Sequence, residues 1–182
     1  MIFLVAAYTG LGNLILRIPF FKKIKELYPN SRIDIITGNV SALTPFIPAI
    51  TAVHQLDMTA PQREKFLFFR RLKKIKYDTI FIPFDSRPRF LKLYSYCTAI
   101  PLRVMHQEFG GPSYCTNLKY AARMCLYPKS LFVPFLPGRH EIDLNLDLLE
   151  AYHNAESYPN TPLKRSYDTP LHLPNHVQTL HN

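Results

Sequence analysis

The sequence predicts an α/β fold, a parallel sheet flanked by helices. Short apolar runs rich in β-formers recur at residues 2–7, 33–37, 52–56, 78–84, 102–105 and 131–133. The first of these carries no charge and no polar alternation, which suits a strand buried on both faces. Segments with helical spacing stand between the runs. The first run passes to its helix through Gly10-Leu11-Gly12-Asn13, so the chain opens strand, glycine turn, helix. That is the first half of a βαβ unit, with a helix N-terminus aimed above the sheet edge.

Each element follows from its residues. After the first strand, Gly10 and Gly12 let the chain turn tightly and bring backbone N–H groups close to a partner. Asn13 is expected to be the N-cap of a helix over 13–28. Leu14, Ile15, Ile18, Phe21, Ile24, Leu27 and Tyr28 mark the apolar stripe of that helix. Pro19 must either kink it or begin its regular part. Ile15 replaces the third glycine of a dinucleotide fingerprint and no G-K-[ST] follows, so neither that motif nor a P-loop is present.

The second strand turns at Gly38-Asn39, and a short apolar helix is expected before Pro45. Pro45-Phe46-Ile47-Pro48 breaks regular structure ahead of the third strand. Residues 61–76 read as a crossover helix, with Arg63, Lys65, Arg70, Arg71, Lys73, Lys74 and Lys76 interleaved with apolar residues. The next strand runs into Asp85-Ser86-Arg87-Pro88-Arg89, a polar loop at a strand C-terminus, where α/β folds place ligand groups. Helices are expected over 90–98, 117–126 and 142–152. Residues 154–182 carry four prolines among polar residues and read as a linker, leaving residues 1–153 as the domain.

A length of 182 residues holds one α/β domain and little more, and 47% apolar content supplies its core. The formal net charge of +9 points to an anionic partner: a phosphorylated sugar lipid, a nucleotide, a membrane surface or nucleic acid. No nucleic-acid motif accompanies the charge. Cys97, Cys115 and Cys125 lack metal or redox spacing and read as reduced thiols of a cytoplasmic protein. His172 and His176 have Pro174 between them, so they are not a helical metal pair. No stretch is long enough to cross a bilayer. The N-terminal run has no basic segment before it, unlike a signal sequence.

The order of several modest motifs adds a resemblance. Gly10-x-Gly12-Asn13-Leu14-x-Leu16-x-x-Pro19 comes first, then Lys22-Lys23-x-Lys25, then Tyr28-Pro29 and Ile33-Asp34-Ile35-Ile36. Tyr77-Asp78-Thr79-Ile80-Phe81-Ile82, Ile100-Pro101-Leu102-Arg103-Val104 and His140-Glu141-x-Asp143-x-Asn145-Leu146-x-Leu148-Leu149 follow. Over about residues 1–150 this series resembles glycosyltransferase family 9, the heptosyltransferase-like enzymes of lipopolysaccharide assembly. The resemblance implies a Rossmann-like domain forming the N-terminal, acceptor-side half of a GT-B architecture. The donor half is expected to lie outside this chain, on a further domain or a second chain.

What the resemblance implies for chemistry is specific. A nucleotide-sugar would be a substrate bound by the donor half, with no cofactor and no metal in this chain. The acceptor would be a phosphorylated glycolipid or polysaccharide precursor, met at the cytoplasmic face of a membrane with peripheral contact. Arg63, Lys65, Arg70 and Arg71 are acceptor-binding candidates, with His140 and the turn glycines Gly10 and Gly12. The family's proposed base is an aspartate at the position held here by Asn13. A carboxamide cannot take that proton, so Asn13 is left to orient the hydroxyl, and Asp85 or Glu141 is the candidate base. The family's usual D-x-Q-G is replaced by Ile82-Pro83-Phe84-Asp85. The competing reading is a non-catalytic module that binds anionic lipid or a partner chain through the basic 63–76 face.

Overall fold

The computed structural model describes residues 1–8, 10–38, 45–57, 59–85, 91, 94–106, 130–133 and 138–157. The expected helix before Pro45, the helix over 117–126, residues 86–89, Cys115, Cys125 and the stretch from 158 onward lie outside the described residues.

Six strands form one parallel sheet. They are β1 (Ile2–Ala6), β2 (Arg32–Thr37), β3 (Ala52–Gln55), β4 (Thr79–Ile82), β5 (Leu102–His106) and β6 (Ser130–Val133). Their order across the sheet is β3-β2-β1-β4-β5-β6, with every neighbouring pair parallel. The chain builds outward from β1 in one direction, returns, and builds outward in the other. The switch in direction falls between β1 and β4, and it is in the crevice above the strand C-termini at such a switch that α/β folds place ligands. This is the Rossmann-like α/β fold that the apolar runs predict.

Both faces of the sheet are covered. One face packs Phe3, Val5, Ile33, Ile35, Phe81 and Val104 under two helices, α2 (Ile18–Leu27) and α4 (Glu141–Ser157). There Phe20, Phe21, Ile24, Leu148 and Leu149 are at most 1% exposed. Each such side chain contributes about 1.5–3 kcal/mol relative to exposure. Phe3, Tyr28, Phe81 and Tyr152 meet in tilted and edge-to-face contacts at 5.5–6.0 Å and pin α4 to the sheet. The other face packs Leu4, Ala6, Ile36, Ile80 and Ile82 against Phe69 and Leu72 of α3 (Gln62–Leu72).

The first helix differs from expectation in two respects. It starts earlier, as α1 (Leu11–Leu16) with Gly10 as N-cap, so Asn13 is inside the first turn and not the cap. It then breaks at Arg17, and Pro19 stands in the first turn of α2, where its missing N–H costs nothing. The glycine turn needs no left-handed backbone, since Gly10 has φ −65° and ψ 171°. The basic helix α3 passes into a 3-10 turn over Lys73–Ile75, close to the expected end. Leu91, Tyr94 and Ser95 are helical and lead into a 3-10 turn over Tyr96–Thr98. The closing helix α4 continues through Ser157, past the expected end at 152 and across the expected domain boundary at 153.

Candidate functional site

The crevice above β1 and β4 holds a cluster of four polar side chains, each delivered by a different local feature. Asp85 follows the end of β4. Asn13 projects from the first turn of α1. Arg17 occupies the break between α1 and α2, and Glu141 is the first residue of α4. Arg17 is fully buried, and its guanidinium donates to the Ala6 carbonyl oxygen at 2.8 Å and to Asp85 Oδ1. Asn13 Nδ2 donates to Asp85 Oδ2 at 3.1 Å. The Asp85 side chain is 7% exposed.

Glu141 completes the cluster through a hydrogen bond with Asp85. Burial pushes the Glu141 carboxyl above the ordinary carboxylate range, and the Asp85 charge and hydrogen bond push it the same way. Burial lowers the Arg17 guanidinium, against the pull of Asp85, though a guanidinium keeps its proton throughout the working range. Glu141 Oε1 is buried and finds no hydrogen-bond partner among the described residues. The cluster therefore contains an ion pair, a second carboxyl raised above its ordinary range and an amide donor, at the place where an α/β sheet receives ligand.

The glycines beside it leave room. A Cβ built on Gly10 or on Gly12 would meet nothing within 4 Å. Neither residue is glycine to avoid a clash within the described fold, and the space in front of this turn is open to a ligand.

The remaining sequence candidates divide. Helix α3 leads into β4, so it runs antiparallel to the strands and its N-terminal end lies on the crevice side. Arg63 sits exposed at that end. Lys65 is buried, and its charge acts on Asp57. Arg70 and Arg71 are exposed about 10 Å further down the helix, at 1.5 Å per residue, away from the crevice. His140 caps α4: its carbonyl accepts from Leu144 N at 3.1 Å and its Nδ1 accepts from Ile142 N at 3.2 Å. The cluster thus brings together Asn13, Asp85 and Glu141, with His140 next in the chain, and leaves Arg70 and Arg71 outside it.

Arg17 is the member that sequence reasoning missed. A signal was present. It is the first charge in the chain and stands between Ile15-Leu16 and Ile18-Pro19. An arginine in so apolar a setting must be buried with a partner.

Among the described residues, no group of three or more His, Cys, Asp or Glu is placed to hold a metal ion. No described helix is long and apolar enough to cross a membrane.

Comparison with known proteins matches no family model and no curated protein. Solved structures do match. The glycosyl transferase family 9 protein from Veillonella parvula DSM 2008 superimposes with a TM-score of 0.59 at 14% identity, over 82% of this chain and 40% of that one. The E. coli heptosyltransferase WaaC with ADP gives 0.59 at 14% identity, over 91% of this chain and 50% of that one. WaaC with ADP-2-deoxy-2-fluoro heptose gives 0.55 at 15% identity, over 91% and 51%. The likeness is one of fold: this chain has the Rossmann-like, heptosyltransferase-like fold of GT-B glycosyltransferases. It spans about half the length of those structures or less.

Proposed function

We propose that this chain is the acceptor-side half of a glycosyltransferase of the heptosyltransferase-like kind. The observation that carries the reading is the Asp85–Glu141 carboxyl pair, held with Asn13 at the strand C-termini where the sheet reverses its direction of growth. Glycosyl transfer asks for a carboxylate within reach of the acceptor hydroxyl, and this pair supplies the two candidates.

The acceptor hydroxyl would enter over Gly10 and Gly12. Its oxygen forms the new bond to the anomeric carbon of the sugar. The nucleoside diphosphate leaves with the electron pair of the bond that breaks, and the hydroxyl proton passes to the carboxyl pair. Asn13 takes no proton. It donates to Asp85 and with Arg17 fixes that carboxylate, so Asn13 orients the pair. The nucleotide-sugar is a substrate held by the donor half, and the reaction as proposed uses no metal. Arg63, on the crevice end of α3, is the cation placed to meet a phosphate on the acceptor. A phosphorylated glycolipid or polysaccharide precursor at the cytoplasmic membrane face fits the net charge of +9.

The test is a transfer assay with this chain joined by a donor-side domain, over a panel of nucleotide-sugars and phosphorylated glycolipid acceptors. Glu141→Gln and Asp85→Asn should each lower kcat at least ~100-fold with the acceptor still bound. Full activity in both variants would remove the carboxyl pair from the chemistry. Absence of transfer with every donor and acceptor pair would overturn the reading.

A further inference from the structure

The outer surface of α3 carries a feature that the crevice chemistry does not use. Residues 62–76 hold seven Lys or Arg and one Glu, so six of the nine net positive charges lie in α3 and the turn that follows it. The helix buries Lys65, Phe69 and Leu72 against the sheet. Its opposite stripe presents Phe66, Leu67, Arg70 and Arg71 at the i, i+4 spacing that shares one face, and Lys74 follows in the 3-10 turn. Phe66 is 38% exposed and Leu67 40% exposed. Two large apolar side chains among exposed cations is an arrangement that charge repulsion and solubility alone do not ask for.

The surroundings add shape. Phe66, Arg70, Lys73, Lys74 and Cys97 line an open groove of about 570 Å³ between α3 and the 3-10 turn at Tyr96–Thr98. The Arg70 guanidinium lies 5.8 Å from the centre of the Phe66 ring, and Tyr94 meets the same ring edge-on at 6.1 Å. The ring is therefore held in place at the rim of a cationic groove.

We infer that this face is a docking surface for an anionic phospholipid bilayer. Phe66 and Leu67 enter the headgroup boundary, Arg70, Arg71 and Lys74 pair with lipid phosphates, and the groove takes a headgroup between Arg70, Lys73 and Lys74. Apolar insertion and charge attraction act together on such surfaces, and neither alone anchors firmly. The choice of a bilayer over a soluble polyanion rests on Leu67 beside Phe66: nucleic-acid bases stack on an aromatic ring but gain little from an exposed leucine, whereas a headgroup boundary takes both. The inference does not depend on the glycosyl-transfer reading. If both hold, α3 lying flat on the membrane would leave the strand-end crevice opening along the bilayer surface.

The sequence supplies its own reporter, because the chain contains no tryptophan. In the full chain, Phe66→Trp should show a blue-shifted emission on adding phosphatidylcholine vesicles with 30% phosphatidylglycerol (a test composition of about physiological charge). Brominated lipid should quench it, and Lys22→Trp on α2 should do neither. Sedimentation with the same vesicles should weaken about tenfold or more in Phe66→Ser/Leu67→Ser. Preference for anionic over neutral vesicles should vanish in Arg70→Gln/Arg71→Gln/Lys74→Gln and persist in Lys22→Gln/Lys23→Gln. Three results would each overturn the inference. One is no binding to anionic vesicles. Another is equal loss from the α2 and α3 charge variants. The third is binding that heparin displaces fully while Phe66→Ser/Leu67→Ser changes nothing, which would mark a site for soluble polyanions. Every substituted residue is exposed, and a thermal melt checks that each variant folds.

Discussion

Asp34 and Asp85 invite comparison, since one is on a strand of the sheet and the other just past a strand's end, both bonded to an arginine and to a second polar side chain. Asp34 is on β2, in register with Leu4 and Ala52, and its side chain is fully buried. Arg32 donates to it twice, at 2.8 and 2.9 Å, Tyr77 Oη donates at 2.6 Å, and His54 Nε2 lies at 3.3 Å from it and 2.7 Å from Tyr77 Oη. By residue type this Asp–Tyr–His group looks the more catalytic of the two. Its geometry is that of a closed network in which each named group is used internally. Hydrogen bonds from His54, Arg32 and Tyr77 outweigh burial and hold Asp34 at about 2. Tyr77 is pushed upward by burial and by Asp34. The Asp85 group is the open one: it includes a carboxyl raised by burial, with an oxygen left for a partner outside the described residues. A closed network fixes the fold, and an open one at the strand C-termini has capacity left for a ligand.

The largest effect that would break this contrast comes from cutting the Asp85 ion pair. Asp85→Ala leaves the fully buried Arg17 guanidinium without its counter-charge, and this should cost about 3–5 kcal/mol in denaturant unfolding. Adding Arg17→Met to that variant should recover much of the loss, because the stranded charge is then gone. A cost below about 1 kcal/mol for Asp85→Ala would mean the pair carries no structural burden.

Asp34 supplies the next effect, through pH. Its carboxyl titrates lower in the folded chain, at about 2, than in the unfolded chain. Its stabilisation is therefore fully present above the ordinary carboxylate range and is lost as pH falls through about 2. The loss should be at most about 2.5 kcal/mol. Asp34→Asn should flatten that part of the stability profile between pH 5 and 2, roughly the span of the two titrations. An unchanged acid limb would show that Asp34 is not the group responsible.

How much of this was readable beforehand depends on range. The strands were legible because each is a short apolar run, while their order across the sheet and its switch of direction were not, since strand pairing joins segments distant in sequence. Asp85 was legible as the polar residue after a strand. What joined it to Asn13, Arg17 and Glu141 was not, since those contacts span between 56 and 72 residues and no local pattern encodes them. Asn13 in a local reading is a helix cap, a role that Gly10 takes because the cap lies three residues earlier. His54 and Tyr77 went unread for the same reason: their partner Asp34 is distant in sequence. The split between Arg63 near the crevice and Arg70 and Arg71 away from it needed the helix direction as well as its composition.

Glu141 gives a smaller effect on stability that sharpens the comparison. Its folded carboxyl is raised above its unfolded value. Keeping it neutral favours folding at low pH, and that advantage is lost as pH rises through the raised value. Glu141→Gln removes the titration, so at pH 8 its stability should equal or exceed that of the parent by under about 1 kcal/mol. The same change should lower kcat at least ~100-fold. Thermal melts at pH 5 and 8 beside the transfer assay separate the two readings, since a residue needed only for folding would lower both together.

The finest test is Gly12→Ala. Gly12 is in the first turn of α1, has no left-handed φ, and has open space where a Cβ would go. Glycine inside a helix costs about 0.5–1 kcal/mol relative to alanine, so on the free chain the substitution should raise stability by up to that much. The methyl group would nevertheless point into the space that the acceptor is proposed to fill, and should raise the acceptor KM several-fold with kcat little changed. Stability and binding then move in opposite directions at one atom. A Gly12→Ala chain that is more stable and binds acceptor as well as the parent would show that the opening over the turn is not the acceptor's path. The carboxyl pair would then need an approach from the side of α4.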